Sequence, residues 1–225
     1  ALRRAIPNQP SGHNVTPILW CRASSVNVQK VMWALEECDV LHERIDAGGT
    51  YGQTDTAEFG EMNPMRRVPV WQENGLTLWE SHAILRHLAR GHASALWPAT
   101  DHEQAVADQW IEFATTTLLP PLLGTYFETV RLPLNQRSAQ ALAKHIDALA
   151  AALDIMDQRL ASSPWLAGAT FSIADIAAGS PMYRYFTMDI PRPHRAALDG
   201  WYTRLTKRPA FVKTVMTSSE ELRGA

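Results

Sequence analysis

Two short clusters in the amino-terminal half have the residue types and spacing to hold a zwitterion. Ser24 and Ser25 close the polar loop Arg22-Ala23-Ser24-Ser25, and from Asn27 the apolar residues Val28, Val31, Met32 and Leu35 recur with helical period. Glu80-Ser81 precedes a second such stretch, with Ile84 and Leu88 on one face. The amides at a helix start have no partner within the helix and attract an anion, and a serine hydroxyl adds a directed hydrogen bond. Glu80 supplies the opposite charge for an ammonium group, so the two clusters together suit an amino-acid-like ligand. Between them stands Val68-Pro69. If that peptide bond is cis, the Val68 amide and carbonyl face an extended peptide and pair with it in strand fashion; the sequence leaves the isomer open.

These groups need a scaffold, and local patterning predicts one. Ile18-Leu19-Trp20 reads as a short buried strand, Glu43-Arg44-Ile45 as a second, and Val68-Pro69-Val70-Trp71 as a third. Asn74-Gly75 is a hairpin turn that returns the chain as Leu76-Thr77-Leu78. Strand, helix, strand, glycine-rich loop, hairpin and helix in that order fit a small mixed sheet covered by helices. After a boundary at Trp97-Pro98-Ala99-Thr100 the pattern is helical throughout. Val106, Trp110, Phe113 and Thr117 mark one helix, which Pro120-Pro121 should stop or bend, and Ile146, Leu149, Leu153, Met156 and Leu160 mark another. The expected fold class is therefore α/β plus all-α. Its divisions are a loosely attached arm over residues 1–14, a sheet domain over 15–91, a linker over 92–100 and an all-helical domain over 101–225.

Within the helical half, Ser172-Ile173-Ala174-Asp175 is a capping box, with Phe171 and Ile176 placed to staple it. Asp175 is read as structural, not catalytic.

Composition narrows the function classes. A chain of 225 residues with net charge -2 lacks the cationic field of a general nucleic-acid binder. It contains no apolar run of membrane-spanning length and no signal-peptide pattern, and it reads as cytoplasmic. Cys21 and Cys38 form neither a redox pair nor a ligand cluster, and Cys21 reads as a small buried hydrophobe. None of the eight histidines falls into a metal-ligand spacing, so no metal is expected. His82 and His87, near the ligand end of their helix, receive ordinary surface or capping roles.

Three segments together resemble the glutathione transferase family, most closely its bacterial, theta-like, serine-dependent members. They are Ser24-Ser25-Val26-Asn27-Val28-Gln29-Lys30-Val31, Asn63-Pro64-Met65-Arg66-Arg67-Val68-Pro69-Val70 and Leu78-Trp79-Glu80-Ser81-His82-Ala83-Ile84. The resemblance continues through Trp165-Leu166-Ala167-Gly168-Ala169 and the capping box, and so spans most of residues 16–215. It implies a thioredoxin-like glutathione-binding domain followed by a helical domain that helps to hold a second, hydrophobic electrophilic substrate. It further implies that Val68 binds the backbone of glutathione, that Glu80 and Ser81 bind its γ-glutamyl end, and that the protein is a homodimer. Arg67 occupies a position where relatives often carry lysine, and meets a ligand carboxylate.

Ser25 falls at the position of the thiolate-stabilising serine in these relatives. Asn27 is the second candidate and Ser24 stays open. A hydrogen bond from the serine hydroxyl favours the thiolate of glutathione, which then attacks an electrophilic carbon without any metal. Two departures stand out: Arg66-Arg67 replaces the usual Gly-Lys, and Trp20-Cys21 ends the strand where other classes carry tyrosine. The Gly48 to Gln53 loop is a candidate for the glycine end of glutathione. Trp110, Phe113, Thr117, Tyr126 and Phe127 are candidates either for the second-substrate pocket or for helix packing. Alternative readings are a glutathione-dependent peroxidase and a fold-retaining binding protein with little turnover.

Overall fold

The computed structural model describes residues 16–92 and 94–224, so the expected arm over residues 1–14 lies outside the described residues. Four strands form one sheet in the order β2-β1-β3-β4: β1 (Ile18–Cys21), β2 (Glu43–Asp46), β3 (Val70–Glu73) and β4 (Leu76–Trp79). β1 runs parallel to β2 and antiparallel to β3, with Leu19 opposite Arg44 on one side and Trp71 on the other. A parallel pair requires a crossover, here made by α1 (Val26–Glu37). β3 and β4 form the predicted hairpin, with both turn residues, Asn74 and Gly75, left-handed at φ 48 and 81. That is the pair of conformations a two-residue turn needs to match strand twist. α2 (Ala57–Met62) and α3 (Ser81–Gly91) complete this thioredoxin-like unit.

Two details depart from the expected pattern. β3 begins at Val70, because Pro69 has no N–H to give to a ladder and Val68-Pro69 is left outside it. The α1 helix is covered on more than the one face that its apolar stripe suggested. Met32 is only half-buried, whereas Trp33 and Ala34 are wholly buried. Trp33 turns away from the sheet toward the helical half, where it meets Phe211 at 4.8 Å and Phe171 at 5.6 Å between ring centroids.

Thr100 caps α4 (Asp101–Phe113) through a reciprocal bond with Glu103. The chain then stays helical where a stop or bend was expected. A π-helical segment over Ala114–Leu118 joins α4 to α5 (Leu119–Tyr126), which carries the two prolines in its first turn. Proline is tolerated there because first-turn N–H groups have little intrahelical demand. A second π-helical segment, Phe127–Arg131, follows α5. The long α6 (Ala139–Ala161) buries Leu149, Leu153, Met156 and Leu160 of its predicted stripe, leaves Ile146 half-buried, and packs against α5 and α9 (Ala196–Leu205).

α7 (Ile173–Gly179) is buried along its whole length and touches α1, α3 and α4. Its capping box forms as predicted. Asp175, wholly buried, accepts from the Ser172 and Leu166 amides at 3.0 Å each and from Trp201 Nε1 at 2.9 Å. Burial raises its carboxyl to about 6 against the pull of those donors. After α8 (Met182–Thr187), α10 (Pro209–Thr214) lies on α1. Arg208 grips the Glu37 carboxylate there with two bonds of 2.7 and 2.6 Å. Sheet unit and helical half are thus fastened along α1, the helix whose first turn carries the candidate catalytic residues.

Candidate functional site

A cleft of about 460 Å³ opens between the carboxyl end of the sheet and the helical half, with Ser24, Ser25 and Asn27 on its wall. Ser25 is the N-cap of α1, yet its side chain makes no capping bond. An N-cap serine ordinarily accepts from an amide of the first turn. Here the backbone alone holds the turn, with the Ser25 amide on the Arg22 carbonyl and its own carbonyl accepting from Gln29, both at 2.9 Å. The Ser25 hydroxyl therefore remains available to the cleft. Ser24 is more enclosed, 4% exposed, and its carbonyl accepts from the buried Arg184 guanidinium.

Asn27 is held by a residue that the sequence did not single out. Lys30 is 1% exposed, and its Nζ donates to Asn27 Oδ1 at 3.1 Å. An ammonium has no lone pair, so the Asn27 oxygen is turned inward and its NH2 is the end left for the cleft. The same ammonium lies 3.0 Å from His82 Nε2, which must accept, and His82 Nδ1 lies 2.7 Å from Thr115 Oγ1. Thr115 passes its own hydroxyl proton to the Ile111 carbonyl, which fixes the ring as the Nδ1–H tautomer. Burial, with Lys30 and Arg86 nearby, lowers the imidazole to about 2 and keeps it neutral. Burial also lowers Lys30 to about 7 although the Glu80 carboxylate pulls the other way. This chain joins α1, α3 and the π-helical segment after α4. Residue type hid it, because a lysine ordinarily reads as a surface residue even at a spacing that shares a face with Val26.

Val68 lines the cleft, and the Val68-Pro69 bond is cis. Gly48 and Gly49 line it as well, which brings the glycine-rich loop to the ligand side, while Tyr51 is exposed. The two arginines before Val68 differ in function. Arg66, left-handed at φ 53, donates to the Thr54 and Thr56 carbonyls at 3.1 and 2.8 Å and braces the loop. Arg67 lines the cleft and is exposed; its carbonyl accepts from Asn63 Nδ2 at 2.7 Å, while its guanidinium makes no hydrogen bond or ion pair among the described residues.

Glu80 and Ser81 sit at the start of α3, beyond the residues that wall this cleft. Glu80 adopts φ 69 and ψ 114, an unfavourable region for a residue with a side chain. Such a conformation costs on the order of 1–3 kcal/mol and persists only where its surroundings impose it, often at a ligand site. Ser81 is 5% exposed.

The helical wall differs from the one expected. Of Trp110, Phe113, Thr117, Tyr126 and Phe127, only Phe127 lines the cleft. Trp110 and Tyr126 are core residues at 6% and 3% exposure, and Trp110 packs edge-on against Phe113. Leu123 and Leu222 supply the apolar surface instead, together with Arg131 and Arg184. With Arg22, Arg66 and Arg67, five arginines surround the cleft, which suits a ligand with more than one carboxylate. Only their convergence in space reveals this, since Arg22 and Arg184 lie 162 positions apart by their numbering. Cys21 is fully buried and its thiol is raised to about 11 by burial, so it is the inert hydrophobe expected.

Similarity to known proteins follows the same division. Residues 16–90 match the glutathione S-transferase N-terminal domain and residues 139–206 the C-terminal domain. Glutathione S-transferase GstB of Escherichia coli K12 is 37% identical over 204 residues, which are 88% of this chain and 97% of that protein. Glutathione S-transferase 4 of Zea mays is 32% identical over 85% of this chain and 88% of its own. The glutathione-bound structure of the theta class glutathione S-transferase from Xanthomonas axonopodis pv. citri superposes with a TM-score of 0.87 at 37% identity. That match covers 90% of this chain and 98% of the other.

Proposed function

The chain belongs to the glutathione S-transferase family, with glutathione as its thiol cosubstrate, and we propose that it joins the glutathione sulfur to small, largely hydrophobic electrophiles at the α1 cleft. The observation that carries this reading is the uncapped Ser25 hydroxyl at the start of α1, within a cleft lined by five arginines.

In this mechanism Ser25 donates to the cysteine sulfur of glutathione and lowers its pKa by favouring the thiolate, helped by the partial positive charge at the α1 N-terminus. The Asn27 NH2 is a second donor on the same side. Val68 pairs with the peptide backbone of glutathione, Glu80 and Ser81 hold the γ-glutamyl ammonium and carboxylate, and Arg67 takes the glycine carboxylate. The thiolate forms a carbon–sulfur bond as a leaving group departs with its electron pair, or as an activated double bond accepts the pair and then a proton. Phe127, Leu123 and Leu222 offer the surface for the electrophile. The reaction needs no metal.

We also assign a homodimer, supported by exposed apolar residues on the sheet unit, Met65 at 52% and Trp79 at 37%. A cytoplasmic setting accords with two unpaired cysteines, and none of the described helices is long and apolar enough to cross a membrane. Calorimetric titration with glutathione tests the site. Saturable binding by the wild type and its loss or marked weakening in Glu80→Ala supports the assignment, and absence of wild-type binding at millimolar glutathione overturns it. Conjugation of an activated aryl chloride then tests the electrophile class.

A further inference from the structure

The three side chains Glu73, His87 and His92 converge at the opposite end of α3 from Glu80, outside the thiol cleft. Each offers one ligand atom, and these atoms all lie within 4.8 Å of one another. Glu73 Oε2 is 2.7 Å from His87 Nε2, and Oε1 of the same carboxylate is 2.7 Å from His92 Nε2. We propose that this trio is a binding site for a zinc-type divalent transition metal, with the two imidazole Nε2 atoms and the carboxylate as protein ligands and water in the fourth position.

The ligand types select the ion. Two imidazoles and a carboxylate suit zinc, cobalt, nickel or copper, whereas magnesium and calcium favour sites built from oxygen. Metal binding would draw the trio into one shell. With metal–ligand bonds of about 2.0–2.1 Å, tetrahedral ligand atoms stand about 3.3 Å apart, so each carboxylate–imidazole contact opens by about 0.6 Å and a pair as wide as 4.8 Å closes by about 1.5 Å. The supports are firm. Glu73 ends β3 in register with Leu76, His87 lies within α3, and the His92 amide closes that helix on the Leu88 carbonyl at 2.8 Å. Trp71 Nε1 donates to Glu73 Oε2 at 3.3 Å, an outer contact of the kind that orients a ligating carboxylate.

The site is also reachable. Glu73 and His92 line a surface cleft of about 440 Å³ together with Asn74, Asp39 and Cys38, which leaves an approach for a hydrated ion and room for the water ligand. Cys38 is not one of the three converging ligands. The ligand set is therefore nitrogen and oxygen. A bound ion would tie the end of α3 to the β3–β4 hairpin. The role is structural, separate from thiol transfer, and independent of what the α1 cleft binds.

The histidine spacing alone did not show this. His87 and His92 are five apart, and Glu73 comes from a strand fourteen positions earlier by its numbering.

The test is a titration of the metal-free full chain with Co²⁺, followed by visible absorption and then by displacement with Zn²⁺. The expected result is one Co²⁺ per chain with ligand-field bands and no thiolate charge-transfer band. His87→Ala and His92→Ala should each weaken binding about tenfold or more, and Cys38→Ser should leave it unchanged. Zn²⁺ should raise the melting temperature of the wild type and not that of His92→Ala, with basal transferase activity equal in both. Absence of saturable binding, a thiolate charge-transfer band, or wild-type affinity in His92→Ala would overturn the proposal.

Discussion

The Lys30 ammonium, buried beneath the first turn of α1, donates to Asn27 Oδ1 at 3.1 Å. No carboxylate reaches it by hydrogen bond or ion pair among the described residues; its other close partner is the neutral His82 ring at 3.0 Å. Desolvation lowers the ammonium to about 7, and its hydrogen bond turns the Asn27 amide toward the cleft. Burying a cation without a contacting anion is unfavourable, so its presence argues for a role in the site.

Replacing Lys30 with methionine keeps the stem and removes the donor. We expect Lys30→Met to fold, because an apolar residue of similar volume tolerates that burial. The freed Asn27 should lose its orientation. The pKa of enzyme-bound glutathione, followed by thiolate ultraviolet absorbance, should rise, and kcat/KM should fall about tenfold, equivalent to about 1.4 kcal/mol. An unchanged thiol pKa in the folded variant would remove Asn27 and Lys30 from sulfur activation.

Lys30 also predicts how stability varies with pH. Its pKa falls from 10.5 to about 7 on folding, so between those values the unfolded chain holds a proton that the folded chain lacks. Stability from this group therefore rises with pH across that window, with a slope of at most about 1.4 kcal/mol per pH unit, and is flat below it where both states are protonated. Urea unfolding of wild type and Lys30→Met at several pH values isolates the contribution. The difference between the two should change from about pH 7 upward, and parallel profiles would contradict it.

Ser25 and Ser24 are separable by kinetics. Ser25→Ala should lower kcat/KM for thiol transfer by about 100-fold, or about 2.7 kcal/mol, the scale for loss of one donor to a reacting anion. Glutathione affinity should change little, because other residues grip the peptide. Ser24→Ala should stay within about threefold of wild type, since the Ser24 hydroxyl is buried without a hydrogen-bond partner and its removal breaks no bond. A reversed order would move the sulfur to Ser24.

Asp175→Ala should be a stability mutant. It leaves the Leu166 amide, the Ser172 amide and Trp201 Nε1 without their acceptor in a buried site. At about 1–3 kcal/mol for each unsatisfied group, partly relieved by relaxation, the total loss should be about 3 kcal/mol or more. Chemical denaturation measures it, and the KM for glutathione of the remaining folded enzyme should match wild type.

The two helix starts at Ser25 and Glu80, the hairpin turn, the α7 capping box and the α6 stripe were all legible in order along the chain. Each depends on neighbours within about one helical turn or one hairpin, where residue type alone sets the local geometry. The continuation of helix through Pro120-Pro121 was not legible, because a π-helical segment rearranges the hydrogen bonds just before the prolines. Nor was the second covered face of α1, which exists only because α7 and α10 fold back onto it.

The sequence by itself therefore determined the family, the sheet unit and the helical half. Tertiary structure decided which groups face one another: Arg22 with Arg131 and Arg184 around the cleft, Lys30 between Asn27 and His82, and Glu73 with His87 and His92. It also chose Phe127 over Trp110 and Tyr126 for the cleft wall. The physical reason is range. Capping, turns and amphipathic stripes are short-range preferences written into neighbouring residues, whereas desolvation and hydrogen-bond matching depend on partners brought from distant parts of the chain.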